Sequence, residues 1–486
     1  MRNSHSIWLK VFFIGYVVLT AFAALHHEPW RDEAQAWLIA RDVSIAQLFA
    51  QANYEGSPVL WHLILLPFAK LGAPYFSMHL VHLLIAYGIV YLFLFKSDFP
   101  VLTRVLFVFS YYMFWEYAVI ARSYSLSILL LFGIAVLYKW KLQRPVLYGL
   151  LLLLLFNTNV HSIPIALGLG LAYALEVWQT KDSRDQLLEG RGLVIGGMLM
   201  LAGLLVAVAQ LLPAPDNINQ SFFQILNWKR PFIAFANAFF PNVPDVAHLA
   251  VLLALLIAGL HGYAIYQKDR LSFLILTIAY TGLGYIFVFK HIGSIRHHGF
   301  LLVMLLFVIW IAELNKEGRK TLLERVNQTA LRLCLGLSVV FAVQRHMSEH
   351  NRLFSGAEQA AAYLNQHSTA YSAVVANPSV KGAALAPYLE GKKLWYADIE
   401  SEGTYITWND MYKAQKDIPQ LIVLQRARDA FGEEAEGLVF LLDAPMPDAL
   451  SDQYELVFQT TDTVFGYGDE TYFLYRKVGD RDVEGR

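Results

Sequence analysis

Residues 26–37 read HHEPWRDEAQAW and follow directly on the first apolar segment of the chain, Trp8 to Leu25. Only 16% of the residues are charged, so this cluster of charges beside an apolar segment is unusual. Asp32 and Glu33 are neighbours, and consecutive side chains of a helix or strand point in different directions. One carboxylate can therefore face a site while the other caps a helix, forms an ion pair or faces water. A plainer alternative is that Asp32 stabilises the first turn of a helix that continues to Arg41.

The composition is that of a membrane protein. Of the 486 residues, 56% are hydrophobic, whereas soluble domains have roughly 45–50% apolar residues. The formal net charge of −1 offers no basis for binding nucleic acid or for a polybasic membrane surface. The single cysteine, Cys334, lies in an apolar run, which excludes a disulfide scaffold and a cysteine-ligated zinc site.

Apolar segments recur from the N-terminus to about residue 346. A spanning helix needs about 20 apolar residues, which predicts eleven membrane spans. The segment from Val59 to Leu71 lies between Pro58 and Gly72 and is too short to span, so we predict a re-entrant or interfacial hairpin there. The predicted spans are 8–25, 76–95, 104–119, 122–139, 145–157, 160–178, 192–212, 246–266, 271–289, 298–313 and 328–346.

The distribution of lysine and arginine predicts the orientation of these spans. With the N-terminus in the cytoplasm, the inner segments hold roughly twice as many basic residues as the outer ones. The first segment resembles a signal peptide, but its length favours an uncleaved first helix of a multi-pass inner (plasma) membrane protein. With the N-terminus in the cytoplasm, every polar motif that stands out from the apolar segments lies on the extracytoplasmic face.

The composition changes after residue 346. Residues 347–486 are predicted to form a soluble extracytoplasmic α/β domain, distinct from a membrane domain formed by residues 1–346. The pattern predicts helices over 356–366 and 381–390, strands over 371–376, 393–398 and 438–442, and a closing hairpin over 454–477.

Two groups of cations lie in the predicted outer segments. Arg122 stands beside Tyr124 at a membrane boundary, where an arginine either reaches lipid headgroups or binds a phosphate through its paired donors. Lys290-His291 and Arg296-His297-His298 fall within nine residues. The adjacent histidines, with no cysteine and no helical His-x3-His pair beside them, make zinc a poor interpretation of this group. An anion site is favoured over a merely solvated rim.

An acidic pair and several cations at a membrane surface suit one type of chemistry. A carboxylate can act as general base on an acceptor hydroxyl while cations hold the phosphate of a lipid-linked leaving group. A sugar carried on polyprenyl phosphate needs such a site, because the lipid tail stays in the bilayer.

The order of these motifs resembles that of the GT-C membrane glycosyltransferases, in particular the branch of aminoarabinose transferases and protein O-mannosyltransferases. In that family an Asp-Glu pair in the first outer loop precedes a helix, which implies that Asp32 is the catalytic carboxylate and Glu33 its support. Later motifs also match: Glu55-Gly56-Ser57-Pro58-Val59-Leu60-Trp61-His62, Arg122 with Tyr124, and Arg296-His297-His298-Gly299.

One position departs from the family pattern. In aminoarabinose transferases, a lysine that binds the carrier phosphate precedes the proline. In this sequence Gly56-Ser57 precede Pro58 and supply no lysine. The phosphate role then passes to Arg122, Arg296 or Lys290, or the donor is a different one. The resemblance covers about residues 1–345 and leaves the role of the C-terminal part open.

The sequence thus predicts a polyprenyl-phosphate-dependent glycosyltransferase that acts on an unidentified acceptor, in contact with membrane lipid and without an organic cofactor. A divalent cation stays open, since some GT-C branches use one, and Glu33 is then either a helper of Asp32 or a metal ligand, but the sequence shows no full set of metal ligands. The alternatives are a transporter or flippase of a lipid-linked sugar, which should have charged residues inside its spans and internal repeats, and a non-catalytic scaffold. The predicted substrate-binding residues are Glu55, His62, Arg122, Tyr124, Lys290, Arg296 and His297.

Overall fold

The structure is a computed structural model. It describes residues 2–180, 191–218, 226–241, 247–291, 293–314, 321–389, 393–415, 417–450, 452–461 and 463–478. The segments 181–190 and 315–320, which hold several of the basic residues that predict the orientation, lie outside the described residues, as does position 292 within the second cation group.

The described residues include eight helices that are long and apolar enough to cross a membrane, which confirms a membrane-embedded helical protein. Three further apolar helices are shorter, so the count of eleven spans stays a prediction. The eight long segments are Ile7–His26, Ser77–Lys96, Val160–Gln179, Arg191–Leu211, His248–Lys268, Arg270–Lys290, Ile295–Glu313 and Leu322–Asn351. The shorter ones are Leu60–Lys70, Tyr124–Trp140 and Pro145–Phe156.

The α-helices of the first 351 residues are numbered in chain order. They are α1 (Arg2–His26), α2 (Arg31–Asp42), α3 (Ile45–Glu55), α4 (Leu60–Lys70), α5 (Ser77–Lys96), α6 (Val101–Val108), α7 (Tyr124–Leu137), α8 (Pro145–Phe156), α9 (Ile163–Gln179), α10 (Arg191–Leu211), α11 (Arg230–Phe239), α12 (Ala247–Lys268), α13 (Arg270–Tyr285), α14 (Ile295–Glu313) and α15 (Leu322–Asn351).

The predicted span 104–119 is not one continuous helix. Helix α6 ends at Val108, and Ser110 takes an extended backbone, with its hydroxyl donating to the Phe107 carbonyl at 2.6 Å. A π-helical turn, Tyr111–Glu116, follows, and residues 117–123 continue outside any helix except for single turns. The interruption leaves a non-helical segment that carries Arg122 two residues before the start of α7.

The predicted hairpin over 59–71 is a single short helix, α4. Its 11 residues cover about 16 Å at 1.5 Å per residue, against a hydrocarbon core of about 30 Å. One face buries Trp61 and Leu65 against Ala36 and Trp37 of α2. Phe68 at the other end is 41% exposed.

The C-terminal part contains a six-stranded mixed sheet in the order β3-β2-β1-β4-β6-β5. Strand β1 pairs in parallel with β2 and β4, and β5 and β6 form the predicted antiparallel closing pair. The elements are α16 (Ala357–Gln366), β1 (Ala373–Asn377), α17 (Ser379–Leu385), β2 (Leu394–Tyr396), β3 (Ser401–Gly403), α18 (Asp410–Gln415), α19 (Gln420–Phe431), β4 (Leu438–Leu442), β5 (Tyr454–Gln459) and β6 (Phe473–Lys477).

Helix α2 joins the membrane helices to the sheet. Ala34 and Leu38, four residues apart and so on one face, share a core with Ala384 of α17. The side-chain amide of Gln35 pairs with both backbone groups of Ile406, at 2.7 Å and 2.9 Å. Because α2 is buried both toward α4 and toward the sheet, the C-terminal part fixes the helix that carries the Asp-Glu pair.

Candidate functional site

Asp32 lies in the first turn of α2 and is surrounded by arginines. Its Oδ2 is 2.8 Å from Nη1 of Arg122 and 3.0 Å from Nη2 of Arg296, and its Oδ1 is 3.7 Å from Nε of Arg31. The Asp32 side chain is 22% exposed, so the carboxylate can still be reached from outside the protein. The structure therefore brings together three residues that are far apart in the sequence and that the motifs had singled out.

Three chain segments meet at this carboxylate. Arg122 lies in the non-helical segment before α7, and Arg296 lies in the first turn of α14, just after Ser294. The Tyr117 hydroxyl donates to the Arg296 carbonyl at 2.6 Å, which ties the two cation-bearing segments together. The site thus lies where α1 ends and where α7 and α14 begin.

The guanidinium of Arg296 is held between aromatic rings. Its carbon is 5.1 Å from the centre of the Trp30 ring and 5.2 Å from that of Tyr467, within the range of cation–π attraction. The side chain is only 12% exposed, yet Nε and Nη1 have no hydrogen-bond partner among the described residues. A buried guanidinium normally uses its donors, so the two unused ones leave hydrogen-bonding capacity that an anionic ligand could satisfy.

Glu33 points away from this cation group. It is fully buried, its Oε2 contacts Nε2 of His27 at 2.9 Å, and its Oε1 is 3.2 Å from Nε2 of His79. The Glu33 carboxylate also accepts from the backbone N–H of Ala121 at 2.6 Å. Since Ala121 precedes Arg122, Glu33 fixes the backbone that positions one of the two principal cations.

Glu55 and His62 lie on the α3 and α4 side of the site. Glu55 accepts hydrogen bonds from the side-chain amides of Gln35 and Gln51, both at 2.9 Å. The charges of Arg122 and Asp32 also act on the Glu55 carboxyl, the first lowering its pKa and the second raising it. Burial raises the pKa of Glu55 to about 7, with the two amides acting in the opposite direction. His62 is 7% exposed and lies within the field of Arg122.

Tyr124 and His297 form a buried pair beside the cations. The backbone N–H of Ser294 donates to Nδ1 of His297 at 2.7 Å, so the proton of this ring is assigned to Nε2, which lies 2.8 Å from the Tyr124 hydroxyl. The ring of His161 stacks on that of His297 at 4.5 Å, and neither nitrogen of His161 has a partner among the described residues. The two ring nitrogens of His161 are therefore still able to hydrogen-bond a ligand near the N-terminal end of α7.

Lys290 occupies a different position from Arg296. It ends the π-helical turn Ile286–Lys290 that follows α13. Within the part of the chain that the structure describes, the ion pairs of Asp32 are with Arg31, Arg122 and Arg296, and do not include Lys290. Lys290 thus belongs to the neighbourhood of the site and not to its centre.

The environment of Asp32 favours its ionised form. Burial alone would raise the pKa of this carboxyl, but the guanidinium groups of Arg122, Arg296 and Arg31 together lower it below its ordinary value. The carboxylate is consequently ready to accept a proton at neutral pH, and becomes a stronger base once a bound anion neutralises one of its arginines.

The loop before β6 covers the site. Its Tyr467 packs on Arg296 and Trp30 and hydrogen-bonds Glu116 of the π-helical turn, while Glu470 accepts from the Arg31 backbone N–H at 2.9 Å. Sequence reasoning missed these residues. Glu116 had a signal, because it is the one acidic residue within the predicted span 104–119; Tyr467 and Glu470 had none.

Glu470 should make the folding stability pH-dependent. Burial raises its pKa to about 7, with the hydrogen bond from the Ser355 hydroxyl acting in the opposite direction. A carboxyl whose pKa is higher in the folded than in the unfolded state stabilises at low pH, and this contribution is lost as the pH rises through about 7. We expect the melting temperature to fall between about pH 5 and pH 7.5, and Glu470→Gln to flatten that fall.

Thermal unfolding of the purified protein across this pH range measures the effect. The matched control is Glu455→Gln, because the Glu455 side chain is 59% exposed and should leave the slope unchanged. A slope in Glu470→Gln as steep as in the wild type would contradict the assignment.

Among the described residues, His27, Glu33 and His79 form a group that could hold a metal ion. One ligand atom from each lies within 4.8 Å of the others, and all three residues are buried. The sequence did not predict this set, since Glu33 and His79 are 46 residues apart and belong to different helices.

Comparison with known proteins leaves the site to be interpreted from its own geometry. No protein-family model matches the chain, and no curated protein sequence matches it significantly.

Proposed function

We propose that the protein is a membrane glycosyltransferase of the GT-C type, which moves a sugar from a polyprenyl-phosphate donor to an acceptor on the extracytoplasmic face. Asp32 is the general base, and Arg122 and Arg296 bind the phosphate of the donor. Glu55, His62, Tyr124 and His297 line the same region and contact the sugar or the acceptor. Glu33 positions Arg122 through the backbone of Ala121.

One observation carries the proposal. A partly exposed carboxylate lies between two guanidinium groups at the end of several membrane helices, and the more buried guanidinium has two unused N–H donors. A phosphate ester offers acceptor oxygens that match such paired donors. A carboxylate beside such a phosphate site can accept the proton of an attacking hydroxyl group.

The reaction follows from these positions. As the acceptor oxygen attacks the anomeric carbon, its proton passes to Asp32, and the bond between the anomeric carbon and the phosphate oxygen breaks. The negative charge that develops on the leaving phosphate is stabilised by Arg122 and Arg296. Polyprenyl phosphate leaves, and Asp32 returns its proton to water.

The alternative is a transporter or flippase of a lipid-linked sugar. Glu116 is the observation that favours it, because this buried carboxylate lies within an interrupted helical segment of the membrane region. Its partners are the hydroxyls of Tyr111, in the same turn, and of Tyr467, in the loop that covers the transferase site, so a role at that site fits equally.

A deletion in the source organism separates the two functions. Cells with an exposed plasma membrane should be treated with a membrane-impermeant sugar oxidant before the lipids are extracted for mass spectrometry, so that only lipid in the outer leaflet is modified. For a transferase, the polyprenyl-phosphate sugar that accumulates should be modified, because it lies in the outer leaflet, and one glycosylated product should be lost. For a flippase the same lipid should accumulate in the inner leaflet. Lipid-linked sugars and glycosylated products that both stay at wild-type levels would contradict the proposal.

A further inference from the structure

The buried group behind the acidic pair has the composition of a transition-metal site. It joins the end of α1, the first turn of α2, the first turn of α5 and the end of α15 through His27, Glu33, His79 and Glu349. Two imidazoles and one carboxylate are a ligand set that binds Zn²⁺ well and is ill suited to Mg²⁺ or Ca²⁺, which take oxygen ligands.

We propose that His27, Glu33 and His79 bind one divalent transition-metal ion, most suitably Zn²⁺, through the two Nε2 atoms and a carboxylate oxygen, with Glu349 as the outer partner of His27. The fourth position is left for a water molecule or for the second oxygen of Glu33. The proposed metal site does not depend on the proposed sugar transfer. The proposal stands whichever reaction Asp32 performs.

The distances suit this assignment. In a tetrahedral site with bonds of about 2.0–2.1 Å, neighbouring ligand atoms are about 3.3 Å apart. The two imidazole nitrogens lie 2.9 Å and 3.2 Å from the two Glu33 carboxylate oxygens, close to that spacing. One ligand atom from each of the three residues lies within 4.8 Å of the others, so side-chain adjustment has to bring them onto one ion.

His27 has the kind of hydrogen-bonding partner on its second ring nitrogen that metal-binding histidines usually have. Nδ1 of His27 lies 2.5 Å from Oε1 of Glu349, which orients the ring and fixes Nε2 as the atom that faces Glu33. A carboxylate on the far nitrogen of a ligating histidine sets its tautomer and raises its basicity. Nδ1 of His79 has no partner among the described residues, so Nε2 is the ring nitrogen engaged in this group.

The charges of the group suit a divalent cation. Glu33 and Glu349 have side chains that are 0% and 5% exposed, and buried carboxylates require compensation. A divalent ion with both histidines neutral cancels both carboxylates.

Metal analysis of the purified protein tests the proposal without any activity assay. The protein should be prepared in detergent with an affinity tag that contains no histidine, and its metal content measured by mass spectrometry. We expect about one equivalent of zinc per chain in the wild type and its loss in His79→Ala. His82→Ala is the matched control, because His82 is equally buried on the same helix and should leave the metal bound.

Two results would overturn the site. One is a wild-type protein that holds no metal even after dialysis against Zn²⁺, in which case the group is a network of protonated histidine and carboxylates. The other is metal that persists in His79→Ala. If that variant fails to fold, X-ray absorption at the zinc edge of the wild type decides: two imidazole ligands support the site, and their absence contradicts it.

Discussion

Replacing Asp32 by asparagine is expected to lower sugar transfer by about 10²–10⁴-fold, the contribution that a positioned general base typically makes. The asparagine keeps the size of the side chain but cannot accept the proton of the acceptor hydroxyl. The same change removes the negative charge that Arg122 and Arg296 now bind at 2.8 Å and 3.0 Å. Donor binding should therefore persist in Asp32→Asn and become tighter, while transfer is lost.

Release of polyprenyl phosphate from a radiolabelled polyprenyl-phosphate sugar measures the loss. Asp42→Asn is the matched control: Asp42 ends the same helix and pairs with Arg41 and not with the site arginines. Its transfer rate should stay near that of the wild type. Full activity in Asp32→Asn would return Asp32 to the role of a helix-terminal carboxylate.

Arg296→Ala is expected to raise the KM for the donor by about 10–100-fold, the equivalent of about 1.5–3 kcal/mol for hydrogen bonds to a charged group. The alanine removes both unpartnered N–H donors and the cation between Trp30 and Tyr467. Arg122→Ala should act in the same direction and more weakly, because its side chain is 25% exposed and its field is screened by water. Arg296→Lys should raise the KM for the donor less than Arg296→Ala does but should not restore the wild-type value, since an ammonium group lacks the planar, paired donors of a guanidinium.

Arg144→Ala is the control for the loss of one positive charge. Arg144 lies at the far end of α7 from Arg122, immediately before α8. A KM that rises in Arg144→Ala as much as in Arg296→Ala would indicate a general effect of charge, and an unchanged KM in Arg296→Ala would remove this residue from the phosphate site.

Much of the fold could be predicted from the sequence, because apolar segments and strand patterns are local. The segment over 438–442 coincides with β4, and the closing hairpin over 454–477 contains β5 and β6. The break at Ser110 was not predicted, since the apolar run continues through it. The short strand β3 and helix α19 were also not predicted, as their patterns are too short or too polar to stand out.

The centre of the site was predicted through motifs, and its surroundings were not. Asp32, Arg122 and Arg296 each stood in a polar motif beside an apolar segment, which is visible in sequence. His79 and Glu349 lie in helices and belong to no polar motif, and Glu116 was visible only as the one acidic residue of the predicted span 104–119. Tyr467 reaches the site only because the C-terminal sheet packs on α2, and no local pattern reports such long-range contact.

The most direct measurement is the equilibrium binding of polyprenyl monophosphate to the purified protein, which needs neither the sugar nor the acceptor to be known. We expect saturable binding to the wild type, tighter binding to Asp32→Asn, and binding that is strongly weakened in Arg296→Ala but not in Arg144→Ala. No binding to the wild type, or equal binding to the wild type and Arg296→Ala, would contradict the assignment of a lipid-phosphate site beside Asp32.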